Sequence, residues 1–214
     1  MKTIVIGATG HVGQLTVASL LKAGHEVTAF GRSIEKITRR DPRLTIVKGD
    51  VMKADDVTGV VPGHDAVLLT FGAPLTRENF LHEPDLCRVG TANVIAAMSK
   101  SGVRRLIAMT SLGAGDSAGH GSFMFRTIIK PVLLGRIMKD RTAQEELIRA
   151  SDVPEWVIVR PTELADGDEK PVRLIEDLDH GLEPTTVTRA SVGSTLAALM
   201  TDKRYDRRAI VMTN

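Results

Sequence analysis

Three glycines, Gly7, Gly10 and Gly13, stand at intervals of three between a short apolar run, Lys2–Ile6, and an amphipathic one, Val12–Ala23. Glycines in that setting serve one kind of chemistry. They carry the chain through a tight turn and let its backbone approach phosphate oxygens, and the helix that follows offers free N–H groups and a partial positive charge. Strand, glycine turn and helix in that order imply a site for a dinucleotide pyrophosphate. Gly7 permits the turn, Gly10 leaves room for the phosphates, and Gly13 permits close packing of helix on sheet. Thr9, His11 and Val12 complete the turn. The spacing is G-x-x-G-x-x-G rather than G-x-G-x-x-G, so the motif takes its specificity from its place in the chain.

The tip of the second strand should choose between cofactors. An acidic residue there would bond ribose hydroxyls and repel a 2′-phosphate. The chain has Gly31-Arg32-Ser33 instead, with Lys36 close behind. Arg32 can hold a phosphate bidentately and Ser33 can add a hydrogen bond, which favours NADP(H) over NAD(H). The plainer alternative is that Arg32 is a solvated loop cation. Asp50-Val51 follows the third strand, where Asp50 can accept from an adenine amino group while Val51 packs on the ring; a turn or helix-capping aspartate is the alternative. Phe71-Gly72-Ala73 follows the fourth strand, where small residues let the chain pass under a cofactor.

The elements that must position these residues alternate. Strands are expected at Lys2–Ile6, Glu26–Phe30, Leu44–Lys48, Ala66–Thr70, Arg105–Thr110 and Trp156–Arg160. Helices are expected at Val12–Ala23, Asp55–Val60 and Pro84–Ser101, and from about Phe123 to Ala150 with bends at Pro131 and Gly135. A glycine-rich loop, Gly113–Gly121, precedes that last pattern and is a candidate mobile lid. The segment Phe123–Met138 is a candidate pocket wall, with helix core or an oligomer contact as alternatives. Beyond residue 162 the pattern is irregular: short strands near Val172–Ile175 and at Thr185–Thr188, a helix at Ala190–Thr201 and a final strand at Ala209–Met212. Short apolar strands between helices imply an α/β fold, a doubly wound parallel sheet covered on both faces. One domain over residues 1–214, with a small C-terminal lobe from about 162, is the economical reading.

The chain has 214 residues and a net charge of +2, which gives no electrostatic reason for a nucleic-acid or membrane partner. Aromatic residues make up 3%, too few for base-stacking platforms. A single cysteine, Cys87, forbids an intramolecular disulfide and suits a reducing compartment. It reads as a small buried apolar residue. The histidines lack ligand spacing, so no metal is expected. With no leader pattern and no long apolar run, a cytoplasmic protein is expected, a monomer or weak homodimer acting on a small molecule. The charged stretch Asp140-Arg141 and Glu145-Glu146 with Arg149 reads as a solvated helix face.

Gly7-Ala8-Thr9-Gly10-His11-Val12-Gly13, Gly31-Arg32-Ser33, Gly49-Asp50-Val51, Thr110-Ser111 and Arg160-Pro161-Thr162 occur in the order found in atypical short-chain dehydrogenases/reductases. Across nearly its whole length the chain resembles that branch, most closely the biliverdin-IXβ/flavin reductase and NmrA-like proteins. The resemblance implies a Rossmann fold with the cofactor over the carboxyl ends of the strands. It implies that Thr9, Gly10, His11 and Val12 wrap the pyrophosphate, that Arg32 takes the 2′-phosphate, and that Asp50 and Val51 take the adenine. Gly72 would pass beside the adenosine ribose. Thr110 and Ser111 would sit near the nicotinamide, and Pro161, Thr162 and Glu163 would line its carboxamide side.

Typical members carry Tyr-x-x-x-Lys, whose tyrosine exchanges a proton while the lysine lowers its pKa. This chain has one tyrosine, Tyr205, and the residue four on is Ala209. By the later Glu145-Glu146-Leu147-Ile148 pattern, the pair falls near Ile137 and Arg141, and Ile137 cannot donate a proton. Two readings follow. One is an NADPH-dependent reductase of a flat conjugated acceptor, such as a flavin, quinone or biliverdin-like ring, by direct hydride transfer with Ser111 orienting the substrate. The other is a non-catalytic NADP(H) redox sensor of the NmrA-like kind.

Overall fold

A computed structural model describes residues 1–74, 76–120, 134–178 and 185–214, apart from the side chain of Phe80. The expected helix start at Phe123, the bend at Pro131 and most of the candidate pocket wall lie outside these residues.

In chain order the elements are β1 (Lys2–Ile6), α1 (His11–Lys22), β2 (Glu26–Gly31), β3 (Leu44–Lys48), α2 (Ala54–Val60), β4 (Ala66–Leu69), α3 (Arg77–Leu81), α4 (Leu86–Ser101), β5 (Arg105–Met109), α5 (Gly135–Ala150), β6 (Glu155–Pro161), β7 (Glu163–Ala165), β8 (Arg173–Ile175), β9 (Thr186–Thr188), α6 (Arg189–Ala198) and β10 (Arg208–Thr213). Short 3₁₀ turns at Ile34–Lys36 and Gly115–Gly119 were not legible in the sequence.

The main sheet runs β3-β2-β1-β4-β5-β6-β10-β8, and β7 pairs with β9 separately. Pairing is parallel from β3 through β10, with Ile6 opposite Phe30 and Leu69. The edge strand β8 runs antiparallel to β10, which departs from the all-parallel expectation. Strand order reverses between β1 and β4, the switch point where ligands bind outside the carboxyl ends of open α/β sheets.

Alternation along each strand divides the core. Val5, Ile107 and Val157 face one layer, where α1 packs on α6. Ile4, Ile6, Leu106 and Ile158 face the other, built from α2, α4 and the end of α5. Both faces are covered, which is why the strands read as apolar runs.

The expected helix Pro84–Ser101 is shorter at its start and is preceded by α3, capped by the Thr76 hydroxyl accepting from Asn79 N–H. Asp85, in the N-cap position of α4, makes no capping bond. The α5 residue Asp140 caps that helix instead, accepting from the N–H groups of Cys87 at 2.8 Å and Arg88 at 2.9 Å. Among the described residues no helix is long and apolar enough to cross a membrane.

Candidate cofactor and acceptor cleft

The turn after β1 is built as its glycines require. Gly7 has φ +92°, and a Cβ on it would lie 2.6 Å from the Phe71 nitrogen. A Cβ on Gly13 would collide with the Gly7 carbonyl oxygen, so α1 reaches the turn this closely only with glycine there. Gly10 differs: a Cβ would meet Gly7 O at an ordinary 3.5 Å. The protein's own packing therefore does not demand glycine at 10. Gly10 is also the N-cap of α1 and provides no side-chain cap. The first-turn N–H groups thus face outward with the positive end of the helix dipole.

Gly7, Thr9, Gly10, Arg32, Asp50, Val51 and Gly72 line one cleft of about 210 Å³ across the switch point. Ile6, Phe30, Gly31, Gly49, Thr70, Phe71 and Leu86 complete its walls. Phe71 was singled out with Gly72 in the sequence, but Phe30, near the end of β2, and Leu86, at the start of α4, were not, because an apolar residue at the end of an element looks the same in a core and in a pocket.

Two of the lining residues have a further setting, and the other candidates lie apart from the lining. Arg32 is exposed at the cleft edge, whereas Ser33 precedes the 3₁₀ turn and is half-buried. Asp50 does hold a turn, accepting from Met52 N–H at 3.0 Å through Oδ1, and it also lines the cleft. His11 is exposed and lines a separate groove with Gln14, Arg39, Arg40 and Arg189. Val12 is 6% exposed and packs in the α1–α6 layer.

Thr110, Ser111, Pro161, Thr162 and Glu163 follow or end β5 and β6, on the same sheet edge as the cleft but outside its lining. The Thr110 hydroxyl donates to Glu145 Oε1 at 2.7 Å. Thr162 is buried with its hydroxyl 3.4 Å from that of Thr213, and Glu163 is exposed. Ser111 is half-buried, its Oγ 3.2 Å from the Leu112 carbonyl.

The face of α5 expected to be solvated is so only in part: Glu146 and Arg149 are exposed, whereas Asp140, Arg141 and Glu145 are buried. Asp140, Arg141, Gln144 and Glu145 are all at most 9% exposed. Arg160, inside β6, donates through Nε to Glu145 Oε1 at 3.0 Å, and its Nη2 pairs with Glu145 and Asp116. Asp116 also pairs with Arg149, and Gly115 N–H donates to the Thr142 hydroxyl at 3.0 Å. These bonds tie the 3₁₀ turn at Gly115–Gly119 to α5 and β6. A charge inside a buried strand must find a partner, and Arg160 in Trp-Val-Ile-Val-Arg was the signal that could have revealed Glu145.

The electrostatics follow. Burial pushes the Asp116 carboxyl up, but bonds from Arg160 and Arg149 outweigh it and hold it below its ordinary range. Burial lowers the Arg160 guanidinium, and Glu145 and Asp116 more than reverse that. Cys87 is buried, and desolvation pushes its thiol up to about 11, so the expectation of a small inert side chain agrees with its surroundings.

Fold and cleft define a doubly wound dinucleotide-binding protein. A family model described as NAD(P)H-binding matches residues 7–203, and the chain belongs to that family. It is 30% identical over 173 residues to an uncharacterized chloroplastic protein of Arabidopsis thaliana, covering 75% of this chain and 58% of that protein. The chain spans less than two thirds of the length of the curated relatives it matches. A short-chain dehydrogenase/reductase from Veillonella parvula in complex with NADP superposes with a TM-score of 0.82 at 19% identity, over 100% of this chain and 94% of that one. The anaerobilin reductase ChuY from Escherichia coli O157:H7 does so with a TM-score of 0.79 at 21% identity, over 100% and 97%.

Proposed function

We propose that the chain is an NADPH-dependent reductase of a conjugated acceptor, such as a flavin, quinone or biliverdin-like ring. The observation that carries this reading is what stands at the family's proton-donor position. By the resemblance that position falls near Ile137, which is 4% exposed and has no proton to give. The one tyrosine, Tyr205, precedes β10 at the amino ends of the parallel strands, opposite the cleft, and Arg204 stacks on its ring at 5.5 Å. A reaction there must need little acid from the protein, which suits a conjugated ring better than a simple ketone.

The residues present fit the cofactor: a turn at Gly7–Gly10 that lines the cleft, an uncapped helix start and a cation at the tip of β2. Gly7, Thr9, Gly10 and the first turn of α1 would hold the pyrophosphate. Arg32 and Ser33 would take the 2′-phosphate, and Asp50 and Val51 the adenine. Gly72 would lie beside the ribose, with Thr110, Pro161, Thr162 and Glu163 toward the nicotinamide. When bound, the nicotinamide supplies a hydride. Ser111 orients an acceptor oxygen, and solvent supplies the proton.

The test is consumption of NADPH by the pure protein with a panel of flavins, quinones and biliverdin. Turnover above background with at least one ring is expected. Binding of NADPH without turnover on any of them would overturn this reading in favour of an NADP(H) sensor.

A further inference from the structure

Three arginines are buried among the described residues, and the protein neutralises two of them. Arg105 pairs with Glu155 and Asp206, and Arg160 with Glu145 and Asp116. Arg141, 9% exposed, has no carboxylate within ion-pair distance among the described residues. The acids beside it on α5 are committed elsewhere: Asp140 to the start of α4, and Glu145 to Thr110 and Arg160.

The Arg141 guanidinium is held from one side only. Nη1 donates to three neutral oxygens: Met109 O at 2.9 Å, Phe71 O at 3.0 Å and Gln144 Oε1 at 3.0 Å. Gln144 is itself fixed, donating to the Thr91 hydroxyl at 3.0 Å. Nη2 and Nε donate to nothing among the described residues. Among the described residues, neither belongs to the fully buried side-chain polar atoms without a partner, which are Thr3 Oγ1, His25 Nδ1, Arg105 Nε and Trp156 Nε1. Nη2 lies against Gly72, a residue of the cleft lining, so closely that a Cβ there would collide with it. A desolvated cation, pinned by carbonyls at the tips of β4 and β5 and set directly behind Gly72 of the cleft wall, is placed to receive an anion at that wall.

We propose that Arg141 is the anion-receiving group of this cleft, its Nη2 binding an acceptor oxygen that is anionic or becomes so on reduction. The inference rests on the reductase reading and narrows it to flat acceptors whose hydride-accepting atom is conjugated to a carbonyl or imide oxygen. The acceptor takes the hydride, with its two electrons, at that atom. The π electrons shift to the oxygen, the resulting oxyanion pairs with Nη2, and solvent protonates it. The cofactor leaves oxidised, and one proton is consumed. Arginine stays protonated throughout, so it stabilises charge without being the acid. A guanidinium here does part of what the absent tyrosine would do.

The probe is 4-nitrophenol, whose phenolate absorbs in the visible, titrated against pH with the protein alone and with saturating NADP⁺. The wild-type protein is expected to prefer the phenolate over the phenol by at least about tenfold, the worth of one charge-assisted hydrogen bond. Arg141→Gln is expected to abolish that preference, and Arg141→Lys to keep part of it. Gly72→Ala, which retains the charge but displaces the guanidinium, is expected to lose it too, and it decides the matter if Arg141→Gln fails to fold. No phenolate preference in the wild type, an unchanged preference in both Arg141→Gln and Gly72→Ala, or a loss of NADP⁺ affinity in place of phenolate preference would overturn the proposal. A phenolate preference without turnover on any acceptor would remove the reductase reading and leave the anion site standing.

Discussion

Replacing Glu145 by glutamine should destabilise the protein out of proportion to one missing charge. Glu145 is 1% exposed and Arg160 is likewise 1% exposed. Glu145 accepts from Thr110 Oγ1 at 2.7 Å and from Arg160 Nε at 3.0 Å, and it pairs with Arg160 Nη2. The amide offers one oxygen where the carboxylate offered two, and it turns an N–H₂ toward a donor. Each lost hydrogen bond to a charged group is worth about 1.5–3 kcal/mol. Stranding one member of a buried pair costs about 3–5 kcal/mol. Asp116 still reaches Arg160, but its side chain is 65% exposed and compensates in part. The expected cost is therefore near the lower end, about 3 kcal/mol, or roughly 6–12 °C in Tm for a chain of this size. Urea unfolding at neutral pH measures it, alongside Arg160→Met and the double variant Glu145→Leu/Arg160→Met. The double variant should lie within about 1.5 kcal/mol of wild type, because an apolar pair replaces an ion pair that had to be desolvated. Single costs below about 1 kcal/mol, or a double variant equal to the sum of its singles, would refute the reasoning.

Arg32→Ala should weaken NADPH by about 10- to 100-fold and leave NADH nearly unchanged, since a charge-assisted phosphate contact is worth about 1.5–3 kcal/mol; fluorescence titration checks it, and equal weakening of both cofactors would count against the assignment. Burial holds the imidazole of His64 below its ordinary range, and that of His25 likewise. The unfolded chain therefore binds more protons, and stability should fall as the pH drops below about 6.5. Urea midpoints compared at about pH 7.5 and 5.5 should show that fall, and His64→Gln should reduce it. Cys87, its thiol raised to about 11 by burial, should react with a disulfide reagent at about pH 8 far more slowly in the native protein than in urea; equal rates would contradict its burial.

Local grammar made the first half of the molecule readable. Gly7 and Gly13 act on the turn that contains them, so sequence and geometry coincide there. The apolar runs of β1, β4 and β5 announce a sheet covered on both faces. The sequence was silent where partners meet through tertiary packing. Asp140 caps a helix that begins 54 residues earlier, at Leu86. Glu145 meets Arg160 across the gap between a helix and a strand. Both acids sit in a stretch whose charge pattern mimics a solvated face, and only the docking of α5 against α4, with Glu145 bonded to Arg160 of β6, turns them inward. The strand β8 was expected near Val172–Ile175, but its antiparallel direction escaped, because three residues carry no mark of strand direction.

We infer that this chain keeps a dinucleotide cradle while its chemistry needs no proton donor from the protein. The most direct measurement is the single-turnover rate of NADPH oxidation by a flavin or quinone acceptor from about pH 6 to about pH 9, with a simple ketone as comparison. A rate on the conjugated acceptor that varies less than about twofold across that range, with no reduction of the ketone, is expected, because no side chain of the protein gives or takes the proton. Reduction of the ketone, with a rate that rises and falls with a single ionisation, would contradict it.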